Sequence, residues 1–312
     1  MLPADPVARL VGLNASQAAY DKAQESLGLD KTITEQFQIF ILGNSETAGL
    51  VNGSLGVSWV TGSPVNSELL NYLPVTLELI ILAFLVATGV GVPIGLLGAT
   101  SPGGLMDRAT MIYSLFAGSQ PEFSWGILFI FIFFVYLGIA PGPLGRLSPL
   151  TDPPLVVTGA ITIDSLLALD FPIFIEALWY LSLPVLTLAF VLSGPIIKMV
   201  RENIIHTMQA DFILYAKASG LSRKRIAKDA LRVSLAPTVT LVGILFSFMI
   251  GGAVLVERIF SISGLGQYSI QSILAFDYPA IQGVVLTISS ITLIVFILID
   301  IIHALIDPRI TL

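Results

Sequence analysis

Few residues in this sequence could carry out chemistry, and their spacing limits what that chemistry can be. Histidine occurs twice, at His206 and His303, and cysteine not at all. Neither a disulfide framework nor a thiolate metal site can form, and two isolated imidazoles are a poor basis for a bound metal. The glycines of "GATSPGGL" (Gly98–Leu105) are not followed by Lys and Ser or Thr, so this chain cannot cradle ATP phosphates as a P-loop does. No HExxH occurs, nor a Gly-x-Ser-Gly with a histidine in an apolar span, which argues against an intramembrane hydrolase. Glu78 stands near one end of an apolar run, where capping or packing is the simplest use for it. Asp300 and His303, spaced i, i+3, could pair with each other or with a basic loop. The densest group of functional side chains is "YAKASGLSRKRIAKDALRVSLAP" (Tyr215–Pro237). It holds Lys217, Arg223, Lys224, Arg225, Lys228 and Arg232, six of the fifteen Lys and Arg residues.

The elements around these residues are set by hydropathy. Hydrophobic residues make up 55% of the 312 positions, charged residues only 12%, and the mean hydropathy is +0.89. Asp, Glu, Lys and Arg are absent from Leu79–Met106, Phe123–Gly145, Ala177–Ile197, Val233–Val256 and Tyr278–Ile299. Each window exceeds the roughly 20 residues that cross a hydrocarbon core as a helix. The reading is an all-α, polytopic membrane bundle with five spans, at about 73–99, 109–139, 175–199, 235–257 and 280–302. "AGSQPEF" (Ala117–Phe123) should break or kink the second, because Pro121 removes a backbone donor. Gly91 and Gly95 form a GxxxG, a weak sign of close helix contact. Residues 1–72 are polar, with a helical candidate over Ala15–Leu29 capped by Asn14 or Ser16 and an irregular stretch over Asn44–Pro64. They read as an external N-terminal segment, 73–307 as the membrane domain with a loop at 200–234, and 308–312 as a cytoplasmic tail.

Charge asymmetry orients the chain. With loop 200–234 on the cytoplasmic side, that side carries Arg108, Lys198, Arg201, the six clustered residues and Arg309. The other side keeps Arg9, Lys22, Lys31, Arg146 and Arg258, as the positive-inside rule requires. The outer loop is acidic, with Asp152, Asp164, Asp170 and Glu176. Orientation alone accounts for each basic residue, but not for the loop's form. It reads as a helix over 202–219, a break at Gly220 and a second helix from Ser222. Phe212, Tyr215, Ala216 and Ser219 recur at i, i+3, i+4 and i+7 and predict one exposed apolar face. Such a face suits either a headgroup layer or a groove in a cytoplasmic partner. The net charge of −6 makes nucleic acid an unfavourable partner.

"DFILYAKASGLSRKRIAKDALRVSLAPTVT" resembles the EAA loop of ABC-transporter inner-membrane permeases, in the variant of the dipeptide/oligopeptide/nickel family. Matching positions include Asp211, Ala216, Ala218, Gly220, Leu221, Ala230–Arg232 and Pro237. "LPVTLELIILA", "MDRATMIYSL", "VERIFSISGLGQ", "FDYPAIQG" and "DIIHALIDPRI" follow the family's order. Three features depart from its pattern. Leu214 stands in place of the Glu that names the signature, Ser263 in place of a Pro, and the sequence opens beyond the family's usual first membrane helix, which suggests a trimmed or mis-assigned start.

The resemblance implies a type I importer fold and the permease subunit of an ATP-driven importer working by alternating access. The solute would be a peptide, or a related solute such as an oligosaccharide or nickel. It implies a second homologous permease, two cytoplasmic ATP-binding subunits that hold ATP and Mg, an external solute-binding protein, and a multi-pass location in the plasma membrane. This chain would bind no cofactor and carry no ATPase site. Asp211, Phe212, Tyr215, Ala216, Lys217, Ala218, Gly220 and Arg223 would couple it to the ATPase, with Phe212, Tyr215 and Ala216 as the contact face. Glu257, Gly264 and Gly266 would lie at an external turn near the path. An ion-coupled secondary transporter is the alternative, but the charge-free windows lack the midplane ionisable residues such proteins use.

Overall fold

A computed structural model describes residues 6–12, 16–44 and 48–306. Among them every regular element is helical and the only β pairings are two isolated bridges, Gly43 with Ala48 and Val57 with Pro64. Three short helices come first: α1 (Pro6–Val11), α2 (Gln17–Ser26) and α3 (Ile33–Leu42). Ser16 Oγ caps α2 by accepting from the Ala19 amide at 3.3 Å; Asn14 lies outside the described residues. Thr32 and Glu35 close a reciprocal capping box on α3. Most of Asn44–Pro64 is irregular, broken by one 3-10 turn at Leu50–Asn52.

The apolar windows become α4 (Val65–Thr100), α5 (Leu105–Ala117) with α6 (Glu122–Phe129), α8 (Phe171–Thr207), α10 (Arg223–Ile259) and α12 (Tyr278–Ile306). Among the described residues four helices are long and apolar enough to cross a membrane, five spans if the bent pair α5–α6 counts as one. The break expected at Pro121 is far more than a kink. The axes of α5 and the helical run from Glu122 to Tyr136 differ by 101°, and Pro121, in extended backbone, is the N-cap of α6. The last part of that run, Ile130–Tyr136, is π-helical. At about 1.5 Å per residue, α8 and α10 are each about 55 Å long, well beyond a hydrocarbon core of about 30 Å. Their surplus at the basic end builds most of what reads in sequence as a loop.

The chain folds into two compact units. The first joins the N-terminal segment up to Val75 with Ser263–Ser290, which includes α11 (Leu265–Ala275). Its core is Val65, Leu69, Leu265, Tyr268, Ala280 and Val284, with Tyr72 stacked on Tyr268 at 4.8 Å. Asp277 accepts from the Ser58 hydroxyl and from the Trp59 amide.

The second unit is Thr76–Ile262 with the chain from Ile291 onward. Helix α8 is its hub: 67% of its most apolar window is buried, against 6% for α12. Small residues let its neighbours approach. A Cβ on Gly91 would stand 3.0 Å from Ile196, and one on Gly95 would stand 2.9 Å from the Ile197 carbonyl and from Val200. The GxxxG is thus a real α4–α8 contact. Gly194 faces Ser114 and Ala117 of α5 in the same way. Tyr113, Phe116, Trp125, Phe129 and Phe190 form one aromatic group across α5, α6 and α8. Between the spans, short α7 (Ile161–Leu167) is tied down by its acids. Asp164 accepts from Thr158 and Gly159, Asp170 caps α8, and Glu176 accepts from Ser148 and Thr151. Replacing Gly95 by Leu should force α4 from α8 and destabilise the purified protein by about 2–3 kcal/mol, read as a fall in thermal midpoint in detergent; Gly103→Leu is not an equivalent control because its φ is +80°, so Leu97→Ala, at an exposed site, should serve instead and change little.

Candidate functional site

The basic segment folds around a helix of eight residues, α9 (Asp211–Ala218). A continuous helix over 202–219 is not what forms. Residues up to Thr207 prolong α8, Met208–Ala210 turn, and Ala210 adopts extended backbone as the N-cap of α9. Asp211 in the first turn and Lys217 in the last both complement the helix dipole. The C-terminus is a Schellman closure: Leu221 N donates to Ala216 O and Gly220 N to Lys217 O, each at 3.1 Å. Gly220 takes the left-handed position, φ +76°, where a Cβ would be strained. Ser222 then caps α10 through the Arg225 amide.

One face of α9 is fixed and the other is open. Ile213 is 1% exposed and packs on Ile226 and Ala230 of α10, with Met208 and Ala216 beside them. Phe212, Leu214 and Tyr215 are 47%, 55% and 76% exposed. Ala216 therefore belongs to the inner side, not to the apolar face that its i+4 spacing from Phe212 suggested, because Ile213 anchors the helix through that edge. Leu214 takes its place outside. Asp211, Lys217 and Ala218 are also exposed, while the side chain of Arg223 lies outside the described residues. The strut behind α9 is closed by Thr207 and Ser234, whose hydroxyls meet at 3.2 Å between α8 and α10. Arg225 and Asp229 form an exposed i, i+4 pair at 3.5 Å, worth little in stability. Arg201 is not there for orientation alone: Nε and Nη2 both donate to Asp107 at the start of α5, and the Gly103 amide adds a third bond at 2.7 Å.

The residues expected at an external turn near the path lie in or beside two helices. Glu257 is fully buried in the last turns of α10, which runs on to Ile259, and it accepts from the Thr76 hydroxyl of α4. Gly264 is the N-cap of α11 in extended backbone, and Gly266 is buried in its first turn. Neither makes a tight glycine turn; the left-handed residue there is Ser261, φ 56°. Burial raises the Tyr268 hydroxyl pKa, and the Glu68 carboxylate that it donates to raises it further. Burial pushes Asp164 up, but the hydrogen bonds from Thr158 and Gly159 outweigh it and leave a net lowering. Its contribution is therefore present above the ordinary carboxylate pKa and lost as pH falls through the lowered one.

Glu78 packs, as its shallow position implied. It accepts from Arg146 Nη1 at 2.8 Å and from the Thr162 amide and hydroxyl at 2.7 and 2.6 Å. His303 meets the Thr240 hydroxyl at 3.1 Å, and no ion pair joins it to Asp300 among the described residues. The sequence pattern leaves Leu214 out of the contact face and gives no role to Glu122. The second could have been noticed as an acid in the middle of the bent pair of apolar helices.

The described family pattern "binding-protein-dependent transport system inner membrane component" matches residues 91–312, which include α9 and both helices that hold it. The chain belongs to this family. This inner membrane component is similar over nearly all its length to curated relatives. It is 36% identical over 311 residues to the probable D,D-dipeptide transport system permease protein DdpB of Escherichia coli K12, covering 99% of this chain and 89% of that one. It is 33% identical over 314 residues to the dipeptide transport system permease protein DppB of the same strain, covering 99% and 91%. To the di/tripeptide transport system permease protein DppB of Pseudomonas aeruginosa it is 35% identical over 312 residues, covering 99% and 90%. The component's buried ion pair can be tested directly. Arg146→Met leaves Glu78 buried without its cation and should cost about 2–3 kcal/mol, whereas the double variant with Glu78→Gln should recover part of that loss in thermal melts.

Proposed function

We propose that this chain is a membrane subunit of an ATP-driven importer that carries short peptides, and that α9 is its coupling element. The observation that carries this reading is a helix clamped on one side and bare on the other. Ile213 holds α9 to α10, while Phe212, Leu214 and Tyr215 present a row of apolar surface. Fully burying such side chains against a partner is worth about 1.5–3 kcal/mol each, and aromatic anchors of this kind dominate docking energies. The partner that fits is a cytoplasmic ATP-binding subunit, one of two, each holding ATP and Mg. Asp211, Lys217, Ala218, Gly220 and Arg223 complete the contact region.

In this mechanism ATP closes the pair of ATP-binding subunits and α9 moves with them. Because α9 is packed on α10, that displacement enters a membrane helix directly, and the bundle passes from inward- to outward-open. The path runs between this chain and a second, similar permease, and an external binding protein delivers the solute. Loop 200–234 and the C-terminal tail 308–312, which lies outside the described residues, face the cytoplasm. Peptide as the solute is supported by relatives named as dipeptide and di/tripeptide permeases.

Tyr215→Asp touches no buried contact and should change stability by less than about 0.5 kcal/mol. It should nevertheless reduce peptide uptake at least about tenfold and weaken co-purification of the ATP-binding subunits. Gly220→Pro, which cannot adopt a φ of +76°, should uncouple ATP hydrolysis from uptake. Normal uptake and normal subunit association in both variants would remove α9 from this assignment, and retention of the ATP-binding subunits with loss of membrane affinity would make it a headgroup anchor.

A further inference from the structure

Glu122 opens α6 directly after the 101° bend. By helical spacing it shares a stripe with Trp125, Gly126 and Phe129, all buried, while Ile127 and Leu128 are exposed on other faces. The side chain thus points among the helices, not toward lipid. Its carboxylate rests on Gly252 of α10, where a Cβ would stand 3.0 Å from Oε1 and 3.4 Å from Oε2. Gly252 lies inside the apolar part of α10, Pro237–Ile259, about 10 Å from its end at about 1.5 Å per residue. Neighbouring Gly251 is exposed, with nothing within 4 Å of a Cβ placed there. Glu122 is itself only part-buried, so it borders the surface of this chain at the depth of a span.

No hydrogen bond or ion pair reaches the Glu122 side chain among the described residues. The other acids of this unit that lie deep are all partnered: Glu78 by Arg146, Asp107 by Arg201, Glu257 by Thr76. On the same stripe as Glu122, the Trp125 indole N–H is buried and also lacks a partner among the described residues. An ionisable group at membrane depth with nothing to pair with marks a ligand path. The charge-free windows of this chain supply no Lys or Arg to meet it, and no cluster able to hold a metal ion occurs among the described residues.

We propose that Glu122 is a cation-binding subsite on the translocation route, and that its ligand is the α-ammonium of a transported peptide. This rests on the peptide reading above. Every uncapped peptide carries that ammonium, followed by a carbonyl acceptor suited to an indole donor. A single carboxylate at the surface of the chain also holds such a group weakly enough to release it.

The test uses the assembled transporter with both permeases, its ATP-binding subunits and its binding protein. In detergent, dicyclohexylcarbodiimide should form an adduct at Glu122, followed by mass spectrometry. Millimolar L-alanyl-L-alanine should slow that adduct severalfold and its N-acetyl derivative, which has the same carboxylate but no ammonium, should not. In proteoliposomes, Glu122→Gln should lower uptake of L-alanyl-L-alanine about tenfold, the size of one lost charge-assisted hydrogen bond. Glu122→Asp should retain most of it, with subunit assembly unchanged in both. Equal protection by the two peptides, no adduct in the free complex, or wild-type uptake in Glu122→Gln overturns the proposal. Loss of subunit assembly in Glu122→Gln overturns it too, by making the carboxylate a partner for a cation of the second permease. A wild-type complex that takes up no dipeptide instead refutes the peptide reading on which the proposal stands.

Discussion

A charge or a backbone polar group cannot be left alone in hydrocarbon, and the second compact unit is organised by that constraint. Helices carry the spans because they satisfy their own backbone. Three acids within or beside those helices acquire a specific counterpart from another element: Glu78 from Arg146 and Thr162, Asp107 from Arg201 and Gly103, Glu257 from Thr76. These pairs cross-link α4 to the segment before α8, α5 to α8, and α10 to α4. They act where apolar packing alone has little preference, since lipid tails are as apolar as leucine. Close packing of small residues supplies the rest of the specificity, at Gly91, Gly95 and Gly194 on the faces of α4 and α8.

Against that background α9 is an exception by design of its surroundings. It is too short to be stable alone, yet it has a Schellman closure, charges that suit both ends, and a single buried anchor in Ile213. Those features fix its position without using its outer face. An apolar row of Phe212, Leu214 and Tyr215 kept outside the core is unfavourable in water, which is the physical basis for reading it as a contact surface.

Much of this arrangement is legible in the chain's residues. The five charge-free windows locate the spans because hydropathy needs no tertiary knowledge, and Gly220 and Ser222 mark a helix end and a helix start through local backbone chemistry. The break at Met208–Ala210 is not legible: it contains neither Gly nor Pro, and it exists because Ile213 must turn back onto Ile226 and Ala230. The same tertiary demand turns Ala216 inward. Pro121 announces an interruption but not a 101° change of direction. Glu257, Gly264 and Gly266 read as parts of an external turn, but the pattern does not show that α10 continues through Glu257 or that Gly264 and Gly266 start α11. Whether Glu122 has a partner depends on which helices surround it, which no local pattern encodes.

Helix α10 is unbroken from Arg223 to Ile259 despite Pro237. It touches α9 at one extremity and carries the Thr76-bound carboxylate near the other. A rod about 55 Å long that tilts by about 5° about one end displaces its opposite tip by about 5 Å. A nudge too small to disturb any side chain at the basic end thus arrives on the far side as a shift as wide as one helical turn.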